Sequence, residues 1–178
     1  AQEILFSKYL AGDTSVLGQI LESYHDTLIL FINRYVQDLT VAEDLAADSF
    51  AQLFVNPKKY NFSVSLKTYL FTIGKSRALD WLRANRRVKT ASLPETLVGG
   101  SSPEEVLIAD EEKRQLYTAI SRLRGDYKTA IHLIYFEVMT YEEAAKVMKK
   151  NRKQVDNLLY RAKKELRIIL GKDGELLL

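Results

Sequence analysis

The sequence predicts an all-α protein built from two small helical domains joined by a flexible linker. Apolar residues recur at helical spacing along nearly all of residues 1–87 and again along residues 103–172. Between them, residues 88–102 hold Pro94 and the run GGSS, and they show no sustained period. No stretch shows the alternation of apolar and polar residues that marks a half-buried strand. We therefore predict a first domain over 1–87, a linker over 88–102 and a second domain over 103–172.

The first domain is predicted to contain four helices. Gly12 separates the first from the second, and the spacing of Thr40 and Glu43 is that of a capping box that starts the third. Asn56 and Pro57 end the third helix, because the residue before a proline avoids the helical conformation. The predicted helices cover residues 4–11, 14–37, 41–54 and 65–86.

The second domain is predicted to end in a helix-turn-helix. Ser102 and Pro103 supply an N-cap and a first-turn proline for its opening helix. Further on, Thr140 and Glu143 form a capping box, and Asn151 is a good N-cap for a helix after a short lysine turn. The predicted segments cover residues 103–123, 127–137 and 140–166.

The last of these helices has two chemically different sides. Its apolar residues fall at i, i+4, i+7 and i+11 and so share one face: Val155, Leu159, Ala162 and Leu166. The other side is polar and basic: Arg152, Lys153, Asp156, Asn157, Tyr160, Arg161 and Lys164. Amides and guanidinium groups can hydrogen-bond base edges, and lysines can neutralise phosphates. A solvated helix in an ordinary bundle has the same pattern, so this segment alone leaves both interpretations open.

Charge is segregated along the chain. Residues 61–90 hold seven Lys or Arg and one Asp, whereas residues 91–112 hold six acidic residues and no basic ones. Residues 113–178 are basic again, so the pattern indicates two contacts with a polyanion, joined by a segment that does not touch it. The combination of aromatic and basic residues in the first basic block suits single-stranded nucleic acid, although Tyr69 and Trp81, each taken alone, fit a domain core better.

Composition excludes several other classes of protein. The 178 residues include no cysteine, which excludes disulfides and thiolate sites and fits a reducing cytoplasm. No apolar run approaches the roughly 20 residues that span a bilayer, so membrane insertion is not expected. His25 and His132 stand alone, and no phosphate loop, metal-ligand spacing or nucleophile motif is present. We therefore expect no enzyme activity, cofactor, metal or small-molecule substrate.

Two well-separated segments together resemble one family, the bacterial extracytoplasmic-function (ECF) sigma factors of the sigma-70 family. The sigma-2-like part is RYVQDLTVAEDLAADSF at residues 34–50 with SLKTYLFTIGKSRALDWLR at residues 65–83. The sigma-4-like part is AISRLRGDYKTAIHLIYFEVMTYEEAAKVM from residue 119, followed by the recognition helix. The resemblance implies a protein that binds core RNA polymerase, directs it to promoters and helps to open the DNA.

The resemblance also assigns roles to residues and names partners. A helix over residues 41–54 would dock on a coiled coil of the β′ subunit through Asp44, Leu45, Asp48, Phe50 and Leu53. The −10 element would be read and melted by Tyr60, Phe62, Lys75, Ser76, Arg77, Asp80 and Arg83. The sigma-4-like domain would meet the β-subunit flap, and the acidic linker would follow the RNA-exit path. An anti-sigma factor, which the family often has, would cover these same surfaces.

The resemblance gives the helix-turn-helix the −35 element as its target. The −35 readers would be Arg152, Lys153, Asp156, Asn157, Tyr160 and Arg161. Phosphate contacts are expected from Arg86, Arg87, Lys149, Lys150 and Lys164; the arginines are included because close cations repel one another without a polyanion. A two-domain helix-turn-helix regulator that does not join polymerase is the alternative, and it would need no single-strand surface.

Several positions depart from the family pattern. Ile73-Gly74-Lys75-Ser76 replaces the usual Ile-Ala-Arg-Asn, so a long amide is missing from the −10 surface. Met148-Lys149-Lys150-Asn151 replaces the usual Leu-Gly-Ile-Ser, which predicts a turn of different angle. Asp156 stands where a cation is common; because a carboxylate accepts from cytosine but repels phosphate, we expect an unusual −35 preference.

Overall fold

The computed structural model describes the backbone of residues 1–89 and 111–171, and these residues form helices, turns and short loops. The chain divides into two compact units, Ala1–Ser92 and Leu93–Leu178. Residues 88 and 89 continue the last helix of the first unit. The rest of the predicted linker, together with residues 103–110 of the predicted opening helix and residue 172, lies outside the described residues.

Four helices form the first unit. They are α1 (Gln2–Leu10), α2 (Leu17–Val36), α3 (Leu39–Val55) and α4 (Leu66–Lys89). Short 3-10 turns at Thr14–Val16 and Pro57–Lys59 precede α2 and follow α3. The predicted start of α3 is wrong by two residues: Asp38, and not Thr40, is the N-cap, since its Oδ1 accepts the N–H of Val41 at 3.2 Å.

Helices α2, α3 and α4 pack against one another around an apolar core, and α1 closes one side of it. Phe6 of α1 is fully buried. Glu3 of the same helix accepts the backbone N–H of Leu66 through Oε1 at 2.9 Å, and Ser65 accepts that of Thr68. The first helix therefore satisfies one of the donors that open the N-terminus of α4.

Gly74 allows α4 to approach α2 closely. A Cβ atom at this position would lie 2.8 Å from Cδ1 of Leu28 and 3.3 Å from Cδ1 of Ile32. Both side chains are fully buried, so little room exists for them to move aside. Glycine at position 74 therefore leaves the space that the side chains of Leu28 and Ile32 occupy.

The second unit contains four described helices. They are α5 (Glu111–Ser121), α6 (Gly125–Ile131), α7 (Tyr141–Met148) and α8 (Arg152–Leu170). A π-helical turn, His132–Phe136, follows α6, so the predicted helix over residues 127–137 changes its hydrogen-bond pattern midway. Nε2 of His132 lies 3.2 Å from Oε1 of Glu137, and both side chains are buried, which gives this lone histidine a structural place.

Within the described ranges, none of the helices combines the length and apolar character that crossing a membrane requires. The same residues hold no group of three His, Cys, Asp or Glu side chains that could bind a metal ion.

Candidate nucleic-acid and polymerase interfaces

Reciprocal capping boxes fix both helices of the helix-turn-helix. In α7, Thr140 Oγ1 accepts the N–H of Glu143 at 3.1 Å, and Glu143 Oε2 accepts the N–H of Thr140 at 2.8 Å. In α8, Asn151 and Gln154 exchange the equivalent bonds, each at 2.8 Å. The predicted caps are therefore confirmed, and Gln154 completes a box that the sequence indicated only at its first residue.

The turn between α7 and α8 is closed by a lysine in a conformation that glycine favours. Lys149 has φ 54° and ψ 47°, the left-handed helical region. The next N–H, that of Lys150, reaches back to the carbonyl of Ala145 at 2.9 Å, as in a Schellman motif. Lys149 thus takes the place of the family's glycine, at a steric cost that glycine would avoid.

The outer side of α8 is exposed as predicted. The buried stripe consists of Val155, Leu159, Ala162 and Leu166. All six predicted −35 readers are exposed: Arg152, Lys153, Asp156, Asn157, Tyr160 and Arg161. The Tyr160 ring, at 69% exposure, covers no core and is available to a partner. One of the six is already engaged, since Nη1 of Arg152 lies 2.8 Å from Oε1 of Glu142 on α7.

The predicted phosphate contacts differ in their surroundings. Lys149 and Lys164 are exposed on the helix-turn-helix, and Arg86 is exposed near the end of α4. Nζ of Lys150 instead lies 3.5 Å from Oδ2 of Asp126, and its side chain is only 28% exposed. This pair ties the turn to the start of α6. The side chain of Arg87 lies outside the described residues.

Most of the predicted −10 residues line one stretch of α4. Ser76, Asp80 and Arg83 are exposed, and Lys75 and Arg77 are half-buried. Asp80 and Arg83 pair across one turn, with Oδ1 and Nη1 3.2 Å apart. The surface thus offers hydroxyl, carboxylate and guanidinium groups, a mixture that can hydrogen-bond both bases and backbone.

Arg77 lies between α4 and α3. Its Nη2 donates a hydrogen bond to Oε1 of Gln52 at 2.8 Å, and its Nη1 lies 3.9 Å from Oδ2 of Asp48. These residues line a shallow groove that also includes Val55 and Lys59. The guanidinium group expected at the −10 DNA therefore contacts the helix expected to dock on polymerase.

Tyr60 requires a correction, because it is not an exposed ring that can take a base. It is 2% exposed, packs edge-on against Phe6 with ring centres 5.4 Å apart, and donates from its hydroxyl to the carbonyl of Val64 at 2.6 Å. Burial, with a smaller contribution from the negative charge of Glu3, raises the pKa of Tyr60 to about 12. Tyr60 anchors the loop that precedes α4.

Phe62 is the aromatic residue that this loop presents to solvent. It is 43% exposed and lies against Tyr60, with ring centres 4.6 Å apart. Its φ of 60° is unusual for a residue with a bulky side chain. Asn61 Oδ1 accepts the N–H of Ser63 at 3.0 Å and stabilises the tight bend. An outlier held in this way at an exposed ring suits a binding role.

The prediction that Phe50 and Leu53 belong to the polymerase-docking face of α3 also requires a correction. Phe50 and Leu53 are 3% and 1% exposed, because they point into the core between α2 and α4. Asp44 and Asp48 are exposed, and Leu45 is half-buried beside them. The side of α3 that can meet a partner is thus mainly acidic.

Sequence reasoning missed two residues that contact predicted site residues. Gln52 holds Arg77, and Glu142 holds Arg152. The i, i+4 spacing of Asp48 and Gln52 could have placed Gln52 on the exposed face of α3. No local signal could have shown either contact, because each joins two different helices.

Comparisons with known proteins match both units. Residues 20–88 match the family model of sigma-70 region 2, and residues 113–166 match that of sigma-70 region 4. The chain is 24% identical over 162 residues to the ECF RNA polymerase sigma factor SigM of Bacillus subtilis, covering 88% of this chain and 96% of that protein. It is 29% identical over 139 residues to the RNA polymerase sigma factor SigV of the same organism, covering 78% and 81%.

Solved structures show the same fold. The sigma factor RpoE of Bartonella quintana, solved in complex with the anti-sigma factor NepR, matches with a TM-score of 0.71 and 22% identity over 88% of this chain and 97% of that one. CnrH, solved with the cytosolic domain of CnrY, matches with a TM-score of 0.68 and 19% identity over 94% and 95%. With a region 2 match, a region 4 match and full-length ECF relatives, the chain belongs to the sigma-70 family and is an ECF-type RNA polymerase sigma factor.

Proposed function

We propose that this sigma factor divides promoter recognition among three surfaces: α3 docks on core polymerase, the Phe62 loop with α4 captures the −10 strand, and α8 reads the −35 duplex. The observation that carries the proposal is the exposed polar and basic side of α8 above its fully buried apolar stripe. A helix of this kind at the end of a helix-turn-helix can enter a major groove with its first turns facing base edges.

Docking on core is assigned to Asp44 and Asp48, with Leu45 as the apolar contact between them. An exposed acidic face suits a basic coiled coil, such as we propose on the β′ subunit. Phe50 and Leu53 are buried, so they cannot meet a partner and their truncation would damage the core. Asp44→Arg should abolish co-purification with core polymerase. Asp26→Arg, which changes another exposed carboxylate, on α2, is the matched control and should co-purify normally.

Capture of the −10 strand is assigned to Phe62 together with Lys75, Ser76, Asp80 and Arg83. An exposed ring can stack on an unpaired base while cations follow the backbone. Phe62→Ala should weaken opening of promoter DNA while leaving −35 binding in place. Permanganate footprinting of thymines near the start site measures this, and normal opening by the variant would contradict the assignment.

Each segment of the chain has a proposed role in transcription initiation. Residues 1–87 act as the sigma-2 domain, residues 103–172 as the sigma-4 domain that also meets the β flap, and the acidic linker follows the RNA-exit path. The protein works in the cytoplasm and performs no chemistry with its own side chains. An anti-sigma factor, as in the solved complex of RpoE, is a further proposed partner.

Run-off transcription with bacterial core polymerase on a promoter library tests the proposal directly. Wild-type protein should yield transcripts from a restricted set of −35 and −10 sequences. The match of residues 20–88 to sigma-70 region 2 favours this outcome over a regulator that does not join polymerase. A regulator would bind duplex DNA without yielding any transcript.

A further inference from the structure

The two helices of the helix-turn-helix are joined at their outer surface by Glu142 and Arg152. Glu142 lies in the first turn of α7, and Arg152 is the first residue of α8. Besides the 2.8 Å contact between Nη1 and Oε1, Cζ of Arg152 lies 5.8 Å from the centre of the Tyr141 ring. Both charged side chains are more than half exposed, so the pair contributes little to stability.

The same two contacts restrict the direction in which the guanidinium group of Arg152 points. An arginine side chain has many rotamers, and a carboxylate on one side with a ring beneath it restricts them. The contact with Glu142 uses the Nη1 side of the group. The guanidinium carries five N–H donors in a rigid fork, so Nη2 and Nε remain to donate a pair of parallel hydrogen bonds.

Glu142 is also an unexpected residue at a surface that meets DNA. An exposed carboxylate repels phosphates, and the surrounding turn and helix are rich in lysine. Pairing with Arg152 neutralises that charge and gives the carboxylate a role. A parallel pair of arginine donors matches O6 and N7 of guanine in the major groove.

We propose that Glu142 and Tyr141 are positioning residues that aim Arg152 at a guanine of the −35 element. The inference rests on the proposed function of α8 and adds the residues that set one of its base preferences. Arg152 touches the base, whereas Glu142 and Tyr141 act only through Arg152.

The test is transcription by full-length protein with core polymerase on a library randomised over the −35 and −10 elements, followed by sequencing of the transcripts. Wild-type protein should enrich guanine at one −35 position. Arg152→Ala should remove that preference. Glu142→Gln and Tyr141→Ala should each lower it about threefold or more, because a guanidinium group that is no longer held in position loses part of its bidentate contact with guanine. Tyr141→Phe keeps the ring and should keep the preference.

Glu111→Gln is the matched control. Glu111 is another exposed carboxylate in a first helical turn of the same unit, and it pairs with Arg114 at 3.7 Å. This variant changes the charge equally and should leave every base preference unchanged. Thermal unfolding by circular dichroism should show that each variant remains folded.

Two results would overturn the inference alone. One is an unchanged guanine preference in Glu142→Gln while Asn157→Ala still alters −35 selection. The other is a uniform rise in transcription from all promoters in Glu142→Gln, which would mean that the Glu142 carboxylate only repels DNA. If wild-type protein enriches no −35 base at all, the proposed function of α8 fails together with the inference.

Discussion

Arg77 of α4 donates a hydrogen bond through Nη2 to Oε1 of Gln52 on α3, at 2.8 Å. The contact joins the helix proposed to bind the −10 strand to the helix proposed to dock on polymerase. The side chain of Arg77 is 34% exposed, so it is partly shielded from water. Arg77 therefore has a structural role in the uncomplexed protein, whatever contact it makes on a promoter.

Removing this contact should destabilise the first unit. We expect Gln52→Ala and Arg77→Ala each to lower the free energy of unfolding by about 1 kcal/mol, and the double variant to lose less than the two together. Trp81, the single tryptophan of the chain, lies in α4, so its fluorescence during urea unfolding follows this unit. Fully additive losses would show that the two side chains do not interact in solution.

Gly74→Ala should destabilise the same unit despite the better helix propensity of alanine. The new methyl group would lie 2.8 Å from Cδ1 of Leu28, and overpacking costs about 1–3 kcal/mol against a gain of about 1 kcal/mol from propensity. Combining it with Leu28→Val should relieve the overlap, so the two changes together should cost less than their sum. Trp81 fluorescence again provides the measurement. A more stable Gly74→Ala protein would show that the side chains of Leu28 and Ile32 move aside at little cost.

Lys149→Gly should have opposite effects on stability and on DNA binding. Glycine removes the strain of a left-handed residue, so the second unit should gain about 0.5–1 kcal/mol in thermal unfolding followed by circular dichroism. Loss of one phosphate contact should lower the slope of log K against log salt by about 1. Lys149→Asn, which tolerates the same backbone but lacks the charge, should share the lower slope; an unchanged slope in both variants would remove Lys149 from the DNA surface.

Arg161→Ala should relax promoter selection. If Arg161 contacts a base edge, its loss costs about 1–3 kcal/mol on the preferred promoter and less on promoters that differ at that base pair. Arg167→Ala, an exposed arginine in the last turn of α8, is the control and should leave selection unchanged. If Arg161→Ala and wild-type protein showed the same preference among promoters, Arg161 would not be a base-reading residue.

Alkaline pH should destabilise the first unit through two tyrosines, the half-buried Tyr24 and the buried Tyr60. Burial raises the pKa of Tyr24 and of Tyr60 from 10.0 to about 12. Because the folded pKa lies above the unfolded value, the stabilisation is complete below pH 10 and is lost as the pH rises towards 12. The urea midpoint from Trp81 fluorescence should fall across this window, and Tyr24→Phe should reduce the fall. An equally steep fall in that variant would assign the effect to other groups.

The helices could be predicted because their signals are local. Apolar spacing and capping residues such as Thr140 and Asn151 act within a few residues of the bond they make. The side on which a residue lies is a finer question, since successive helical residues differ by about 100°. Phe50 and Leu53 were expected at a docking face, but the direction from which α2 and α4 pack on α3 buries them.

Contacts between elements account for what could not be predicted. Tyr60 is buried because Phe6, far away in sequence, packs against it. Gln52 with Arg77 and Glu142 with Arg152 are pairs across helices, and nothing in either helix alone indicates its partner. The exposed side of α8 could be predicted because its own periodicity defines it.

The hydrogen bond from Leu66 to Glu3 bears on where this protein can be divided. The match to sigma-70 region 2 begins at residue 20, but α1 lies before that residue and supplies both Glu3 and the buried ring of Phe6. A fragment cut at residue 20 would expose the apolar surface beneath Phe6 and leave the first turn of α4 without its carboxylate acceptor. The smallest autonomous piece that carries the surface proposed to bind the −10 strand therefore includes α1, which the boundaries of the family match leave out.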